Sequence, residues 1–199
     1  IKVIYSAAIK INHPVFKFFI DRGCIPIKRS VFLASLVNET ESFAVAGTHG
    51  KTTTSAILTH IFKKTDTSFS SFVGGVMLPD KTNYINNGFD KTIVEADEFD
   101  RSFLNLKPHF ACITSIDADH LDIYGTAHHL VESFRLFSDK VEDGNLIVKE
   151  GLDIPSKYTY ALGSDTADFS AKNIRVEGGA YYFDLVYPKG VCENVITGL

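Results

Sequence analysis

Residues 44–56 read AVAGTHGKTTTSA, and this stretch limits the possible folds more than any other in the chain. Gly50-Lys51-Thr52 is the core of a phosphate-binding loop, but Val45 stands where the full G-x-x-x-x-G-K-[ST] pattern has its first glycine. The glycine frame is therefore the shorter Gly47-Thr48-His49-Gly50, with a histidine inside it. Such a loop works by aiming successive backbone N–H groups and a helix N-terminus at an anion, so it must join a strand to a helix. The context fits: SFAVAG before it is an apolar strand, and KTTTSAILTHIFKK after it is a helix. In this arrangement Lys51 reaches the outer phosphates and the Thr52 hydroxyl is a ligand for Mg²⁺.

Two later segments repeat the theme of an apolar strand ending in polar residues. In TIVEADEFDRSF the strand runs into Glu95, Asp97 and Glu98. Open α/β sheets place ligand chemistry at the C-terminal ends of strands, and Mg²⁺ takes oxygen from one or two carboxylates, so Glu95 is the candidate metal ligand, with a solvated acidic turn as the plainer alternative. In CITSIDADHLDIYG the strand ends in Asp117, Asp119, His120 and Asp122, and His120 is a candidate for a second metal or substrate site. DIYG also fits a GTPase D-x-x-G, but no N-K-x-D segment accompanies it. Spacing alone leaves open whether His49 faces nucleotide or substrate.

The remaining pattern is that of an α/β protein. IKVIY is expected as a buried strand, NHPVFKFFIDRG as a helix capped by Asn12 and stopped at Gly23, CIPIK as a short strand, and VFLASLVN as a helix capped by Ser30. SFSSFVGG, KTIVEAD and HFACITSID are continuous apolar runs suited to strands covered on both faces, and a helix spans about 127–140. The final third reads as short strands with glycine turns, a small antiparallel extension on a mostly parallel sheet. The polar run NETE marks a boundary, giving domains at 1–40 and 41–199.

Composition excludes several classes. A formal net charge of −4 with no Lys/Arg run gives no footprint for nucleic acid or an anionic membrane, and no apolar stretch is long enough to span one. The three cysteines are scattered and form no C-x-x-C pair, which points to a reducing cytoplasm. The chain begins at Ile1 directly in a strand, as a piece of a longer protein would.

Taken together, AGTHGKTTT, EADEFDRSFL and ITSIDADHLDIYG resemble the ATP-dependent Mur ligases of bacterial cell-wall synthesis, in particular the branch that adds the first amino acid. That family uses a short G-T-x-G-K-T loop, and this branch typically has histidine at x. The segment from Ile4 to Leu36 also resembles the end of the family's first domain. The resemblance implies the end of a Rossmann-like UDP-sugar domain over 1–40, then a P-loop ATPase domain over 41–199, incomplete at its C-terminal end, without the third, C-terminal domain. It implies joining of L-alanine to UDP-N-acetylmuramate through an acyl phosphate, with ATP and Mg²⁺ as cofactors, although a chain of this extent is expected not to turn over. The sister ligase that attaches a peptide to the same UDP-sugar and a non-catalytic nucleotide-binding module are the rival readings.

Residue by residue, the resemblance assigns the ATP phosphates to Gly47, Thr48, His49, Gly50, Lys51, Thr52 and Thr53. It assigns the first Mg²⁺ to Thr52 and Glu95, the second metal to His120, and the UDP-sugar side to Ser6 and Arg29. Lys51, Glu95 and His120 are the implied catalytic residues. Ser115 departs from the asparagine the family often carries there.

Overall fold

The computed structural model describes residues 2–78, 80–117 and 126–198. The phosphate-loop unit is its centre: strand β3 (Glu41–Ala46) runs through 47–50 into helix α3 (Lys51–Lys63). Ahead of it come β1 (Ile4–Tyr5), α1 (Pro14–Ile20), β2 (Ile27–Lys28) and α2 (Arg29–Val37). After it come β4 (Phe69–Met77), β5 (Thr82–Asn86), β6 (Lys91–Glu95), a 3-10 segment (Phe99–Asn105), β7 (Phe110–Ile113), helix α4 (Ala127–Ser138), β8 (Leu146–Lys149), β9 (Tyr158–Leu162), β10 (Phe169–Glu177), β11 (Ala180–Tyr187) and β12 (Gly190–Gly198).

One ten-stranded sheet has the order β12-β11-β10-β9-β8-β7-β3-β6-β4-β5. Strands β7, β3 and β6 are adjacent and parallel, so the three polar strand ends emerge side by side at one edge, as the sequence implied. Alternation along these strands sorts their side chains. Ala44, Ala46, Val94, Ala111, Ile113, Leu146 and Val148 face a core closed by Ala34 and Val37 of α2, Phe103 of the 3-10 segment, and Leu130, Phe134 and Phe137 of α4. Phe103 stacks on Phe137 at 5.0 Å and meets Phe134 edge-on at 5.2 Å. Helix α2, which precedes the NETE run, thus buries residues in the same core as the sheet.

The opposite face is covered by α3 over β3, β6 and β4. There the helix buries Ser55 and Thr59, with Thr59 Oγ1 2.6 Å from Ser71 Oγ of β4, while Ile57 and Ile61 stay half exposed. Beyond that flank lies an apolar trough of about 470 Å³ walled by Phe43, Ile61, Phe110, Cys112, Ile147 and Phe169.

Several local expectations are corrected. Strand β1 is two residues long and not buried. Helix α1 is capped by His13, whose Nδ1 accepts the Val15 N–H at 3.3 Å, so Asn12 lies one position too early. Helix α2 begins at Arg29 with no side-chain cap, because Ser30 is already inside its first turn. Strand β5 and strand β12 (Gly190–Gly198) had no clear signal, since TNYIN and GVCENVITG are polar and exposed for much of their length.

The antiparallel extension is also smaller than the sequence suggests. Strands β8 and β9 (Tyr158–Leu162) join in parallel, β10 (Phe169–Glu177) pairs with β9 in parallel over three residues, and only β10, β11 (Ala180–Tyr187) and β12 are antiparallel. A connection as short as 163–168 can return the chain in parallel because the pairing is so brief, and Asp168 fastens it by accepting the Thr159 N–H at 2.7 Å.

Burial in the sheet sets an alkaline limit on stability. Desolvation pushes the Cys112 thiol up to about 11, and burial, with a smaller contribution from Cys112, pushes the Tyr160 hydroxyl up to about 12. Both groups hold their protons more tightly folded than unfolded, so the unfolded chain binds fewer protons once the pH passes the ordinary thiol value of 9.0, and stability falls with rising pH. Urea midpoints should therefore be flat to about pH 9 and then decline. Cys112→Ala should remove the first part of that decline; an unchanged slope would exclude Cys112 as its source.

Candidate nucleotide and metal site

The loop is held open by β7 and the residues after it. Gly47 has φ 134°, and a Cβ there would come 2.8 Å from Ser115 N and closer still to Thr114 Oγ1, so both its conformation and its surroundings require glycine. Thr48 N–H donates to the Ser115 carbonyl at 3.0 Å, and His49 N–H donates to Ser115 Oγ at 2.9 Å. Thr48 Oγ1 lies 2.9 Å from Ser115 Oγ and accepts the Asp117 N–H at 3.0 Å. Thr114 Oγ1 donates to the His49 and Ala46 carbonyls, and the Thr114 carbonyl accepts from Tyr160 Oη at 3.2 Å.

The amides of Thr48 and His49 are thus turned toward β7. Gly50, at φ 81°, caps α3, whose first intrahelical bond runs from Thr54 N–H to the Gly50 carbonyl. That leaves the Lys51, Thr52 and Thr53 amides at the open, electropositive end of the helix. The His49 ring is largely exposed, with Nε2 3.9 Å from Asp117 Oδ2.

Lys51 folds back over the loop. Its Nζ donates to the Gly47 carbonyl at 2.7 Å and to Glu98 Oε1 at 3.0 Å, and lies 2.8 Å from Glu98 Oε2. Glu98 is 0 % exposed, and the Lys51 side chain only 13 %. Glu98 is the residue that sequence reading underused. Strand β6 ends at Glu95, so alternation no longer says where Glu98 points, and the turn that carries it inward contains Asp100 and Arg101, both at φ 54°.

Thr52 and Glu95 meet beside the loop: Thr52 Oγ1 donates to Glu95 Oε1 at 3.0 Å, and Gly74 N–H donates to Glu95 Oε2 at 2.6 Å. A Cβ on Gly74 would fall 2.7 Å from the Glu95 carboxylate, and one on Gly75 would fall 2.8 Å from Thr52 Cγ2, so β4 leaves room for this corner only by carrying two glycines. A hydroxyl and a carboxylate side by side are the hard oxygen donors that Mg²⁺ takes. The corner opens on a cavity of about 400 Å³, whose walls include Arg29, Lys51, Thr52, Gly74, Glu95 and Asp97.

The sequence-derived candidates therefore divide. Gly47 to Thr53, Lys51 and Glu95 come together, and Arg29, expected on the UDP-sugar side, opens onto the same cavity. Ser6 does not: its hydroxyl accepts the Ala8 N–H at 3.3 Å, in a turn whose neighbours Tyr5 and Ala7 line a separate cavity of about 390 Å³. Across that cavity Lys28 pairs with Asp100 at 2.9 Å, a contact that raises the Lys28 pKa. His120, with Asp119 and Asp122, lies outside the described residues. Among the described residues no helix is long and apolar enough to cross a membrane.

The chain is similar to several known proteins. The residue pattern of the Mur ligase middle domain matches residues 45–197. The chain is 46 % identical over 195 residues to a UDP-N-acetylmuramate–L-alanine ligase of Christiangramia forsetii, covering 97 % of this chain and 42 % of that protein. It is 44 % identical over 199 residues to the ligase of the same name from Flavobacterium johnsoniae, covering 99 % of this chain and 44 % of the relative. The chain therefore spans less than half the length of these relatives. Among solved structures, the UDP-N-acetylmuramate–alanine ligase of Thermotoga maritima superposes with a TM-score of 0.83 at 21 % identity, over 99 % of this chain and 46 % of that one. A Thermotoga maritima MurF ligase in complex with ADP superposes with a TM-score of 0.64 at 17 % identity, over 100 % of this chain and 56 % of that one.

Proposed function

Because the chain belongs to the Mur ligase family, matching its middle domain, we propose that it is the ATP-binding part of an enzyme that joins L-alanine to the lactyl carboxylate of UDP-N-acetylmuramate. The observation that carries this reading is the Thr52–Glu95 corner, held at 3.0 Å beside Lys51 and the open end of α3. The family and the names of the relatives supply the substrates, and the site supplies the chemistry. On the same reading, residues 1–40 end a UDP-sugar domain, 41–199 form the ATP-binding domain, and His120 serves a second metal.

A carboxylate is a poor acyl donor, so the reaction needs a better leaving group. The lactyl carboxylate attacks the γ-phosphorus of ATP, the bond to the β-γ bridging oxygen breaks, and ADP departs, leaving an acyl phosphate. The alanine amine then attacks the acyl carbon, loses a proton, and expels phosphate. Lys51 and the amides of Lys51, Thr52 and Thr53 hold and neutralise the phosphates, which is a task of positioning and electrostatics. Thr52 and Glu95 would hold Mg²⁺, which when bound screens the phosphate oxygens. The loop fixed by Ser115 and Thr114 keeps these donors in place before nucleotide arrives.

The test is phosphate release with ATP, UDP-N-acetylmuramate and L-alanine, using this sequence within a protein of the relatives' length. Alanine-dependent release, lost with Lys51→Ala, is the expected result. Turnover with a peptide instead of alanine would assign it to the sister ligase, and nucleotide binding without turnover on any acceptor would make it a non-catalytic module. Glu95→Gln keeps the shape of the corner but removes its charge, so the Mg²⁺ concentration needed for half-maximal ATP binding should rise at least about tenfold. An unchanged Mg²⁺ requirement would remove Glu95 from the metal site.

A further inference from the structure

Arg29 has an unusual position for a residue outside the phosphate-loop unit. It opens α2, yet it lines the same cavity as Lys51, Thr52 and Glu95. The two cations of that cavity are in different situations. Lys51 is already committed to Glu98 and to loop carbonyls, whereas Arg29 forms no ion pair among the described residues. Arg29 also stands at a junction, because it helps wall a neighbouring cavity of about 330 Å³ that is mostly apolar, lined by Phe32, Leu36, Phe72 and Tyr84. The Phe72 and Tyr84 rings there lie 4.9 Å apart.

The proposed reaction needs a cation at this place. Two anions must meet, the terminal phosphate of the nucleotide and the carboxylate that attacks it, and the carboxylate has to approach from the side away from the ADP leaving group. Lys51 and the end of α3 serve the nucleotide. A guanidinium in the same cavity, without an ion pair among the described residues, is suited to the other anion, because its planar fork binds a carboxylate through two parallel hydrogen bonds.

We infer that Arg29 binds the carboxylate of the acceptor and holds it in the cavity that it shares with Lys51. This rests on the ligase reading above, but it assigns Arg29 to the reacting end of the acceptor and not to its UDP end. It also gives α2 a part in the reaction, since the residue that fixes the acceptor lies ahead of β3 while the residues that fix the nucleotide follow it.

The experiment compares two UDP-sugars at equilibrium without ATP turnover: UDP-N-acetylmuramate, and UDP-N-acetylglucosamine, which has the same UDP and sugar but no lactyl carboxylate. With this sequence in a protein of the relatives' length, the unsubstituted protein should prefer UDP-N-acetylmuramate. Arg29→Ala should lose about tenfold or more in affinity for it, with UDP-N-acetylglucosamine and ADP affinities within about twofold of the unsubstituted values. Arg29→Lys should recover part of the loss, and in turnover the acceptor KM should rise with the ATP KM unchanged. Equal weakening toward both sugars would place Arg29 on the UDP side, and weakened ADP binding would place it with the nucleotide; either overturns the inference, as does an unchanged preference. If the unsubstituted protein shows no preference and no alanine-dependent turnover, the ligase reading fails first, and the inference falls with it.

Discussion

Alanine at position 47 is expected to abolish nucleotide binding and to destabilise the fold by about 2–4 kcal/mol. Two costs add at this residue. The backbone at φ 134° is one that a residue with a Cβ rarely adopts, and the new carbon would press on the backbone of Ser115, 2.8 Å from its nitrogen. Relief would require β3 and the residues after β7 to separate, which breaks the bonds from Thr48 and His49 to Ser115 and so releases the loop. Gly50→Ala makes the contrast: Gly50 shares the positive φ, at 81°, but a Cβ there would find its first neighbour, Thr114 Cβ, at 3.8 Å. Its stability loss should be near 1 kcal/mol, the strain alone. Thermal or urea unfolding with ADP titration of both variants measures this, and equal losses at the two positions would show that the close approach at Gly47 contributes nothing.

The second large effect concerns Lys51 and Glu98. Substituting the lysine of a phosphate loop is usually read as a loss of phosphate affinity, but here it also leaves the carboxylate of Glu98, 0 % exposed, without its ammonium partner. Removing one member of a buried pair costs about 3–5 kcal/mol, whereas replacing both with uncharged groups of similar shape is far less costly. Lys51→Met should therefore be strongly destabilised, and Lys51→Met with Glu98→Gln should regain most of that loss while still failing to bind ADP tightly. The double-mutant cycle should give a coupling of about 2–3 kcal/mol. Additive losses would show that the pair contributes no mutual stabilisation. The cycle also separates the pairing of Lys51 with Glu98 from its proposed part in phosphate binding, since stability is expected to return in the double variant and phosphate binding is not.

The sequence and the structure agree where local chemistry and periodicity point the same way. The strand–loop–helix around Gly47 to Thr53 was legible because glycine spacing, the apolar run before it and the helical run after it are one signal. Glu95 was legible because it is the last residue of an apolar strand. Glu98 was not, because its side chain is aimed by a turn through Asp100 and Arg101 whose positive φ has no compositional mark, neither residue being glycine. The clasp on the loop was missed for a related reason: Thr114 and Ser115 lie far along the chain from His49, and only the pairing of β3 with β7 brings them to it. Ser115, which reads as a departure from the family pattern, turns out to accept the His49 N–H. The caps of α1 and α2 were each misplaced within a residue or two, where several polar residues compete for one position.

The adjacency of β7, β3 and β6 also works as a ruler. Lys51 and Thr52 follow β3 through the loop, Glu95 ends β6, and Thr114 and Ser115 follow β7, so the strands that carry the groups of the site stand one spacing apart, about 4.8 Å. That distance is set by backbone hydrogen bonds and not by the identity of the side chains packed beneath. The site should therefore drift little when the core under it is repacked with residues of similar volume. A slip of β6 by a single residue against β3 is a different error. It would carry the Glu95 carboxylate about 3.3 Å along the sheet, turn it to the other face and take it away from Thr52. The tolerances of the site are thus those of strand register, generous toward volume and strict toward phase.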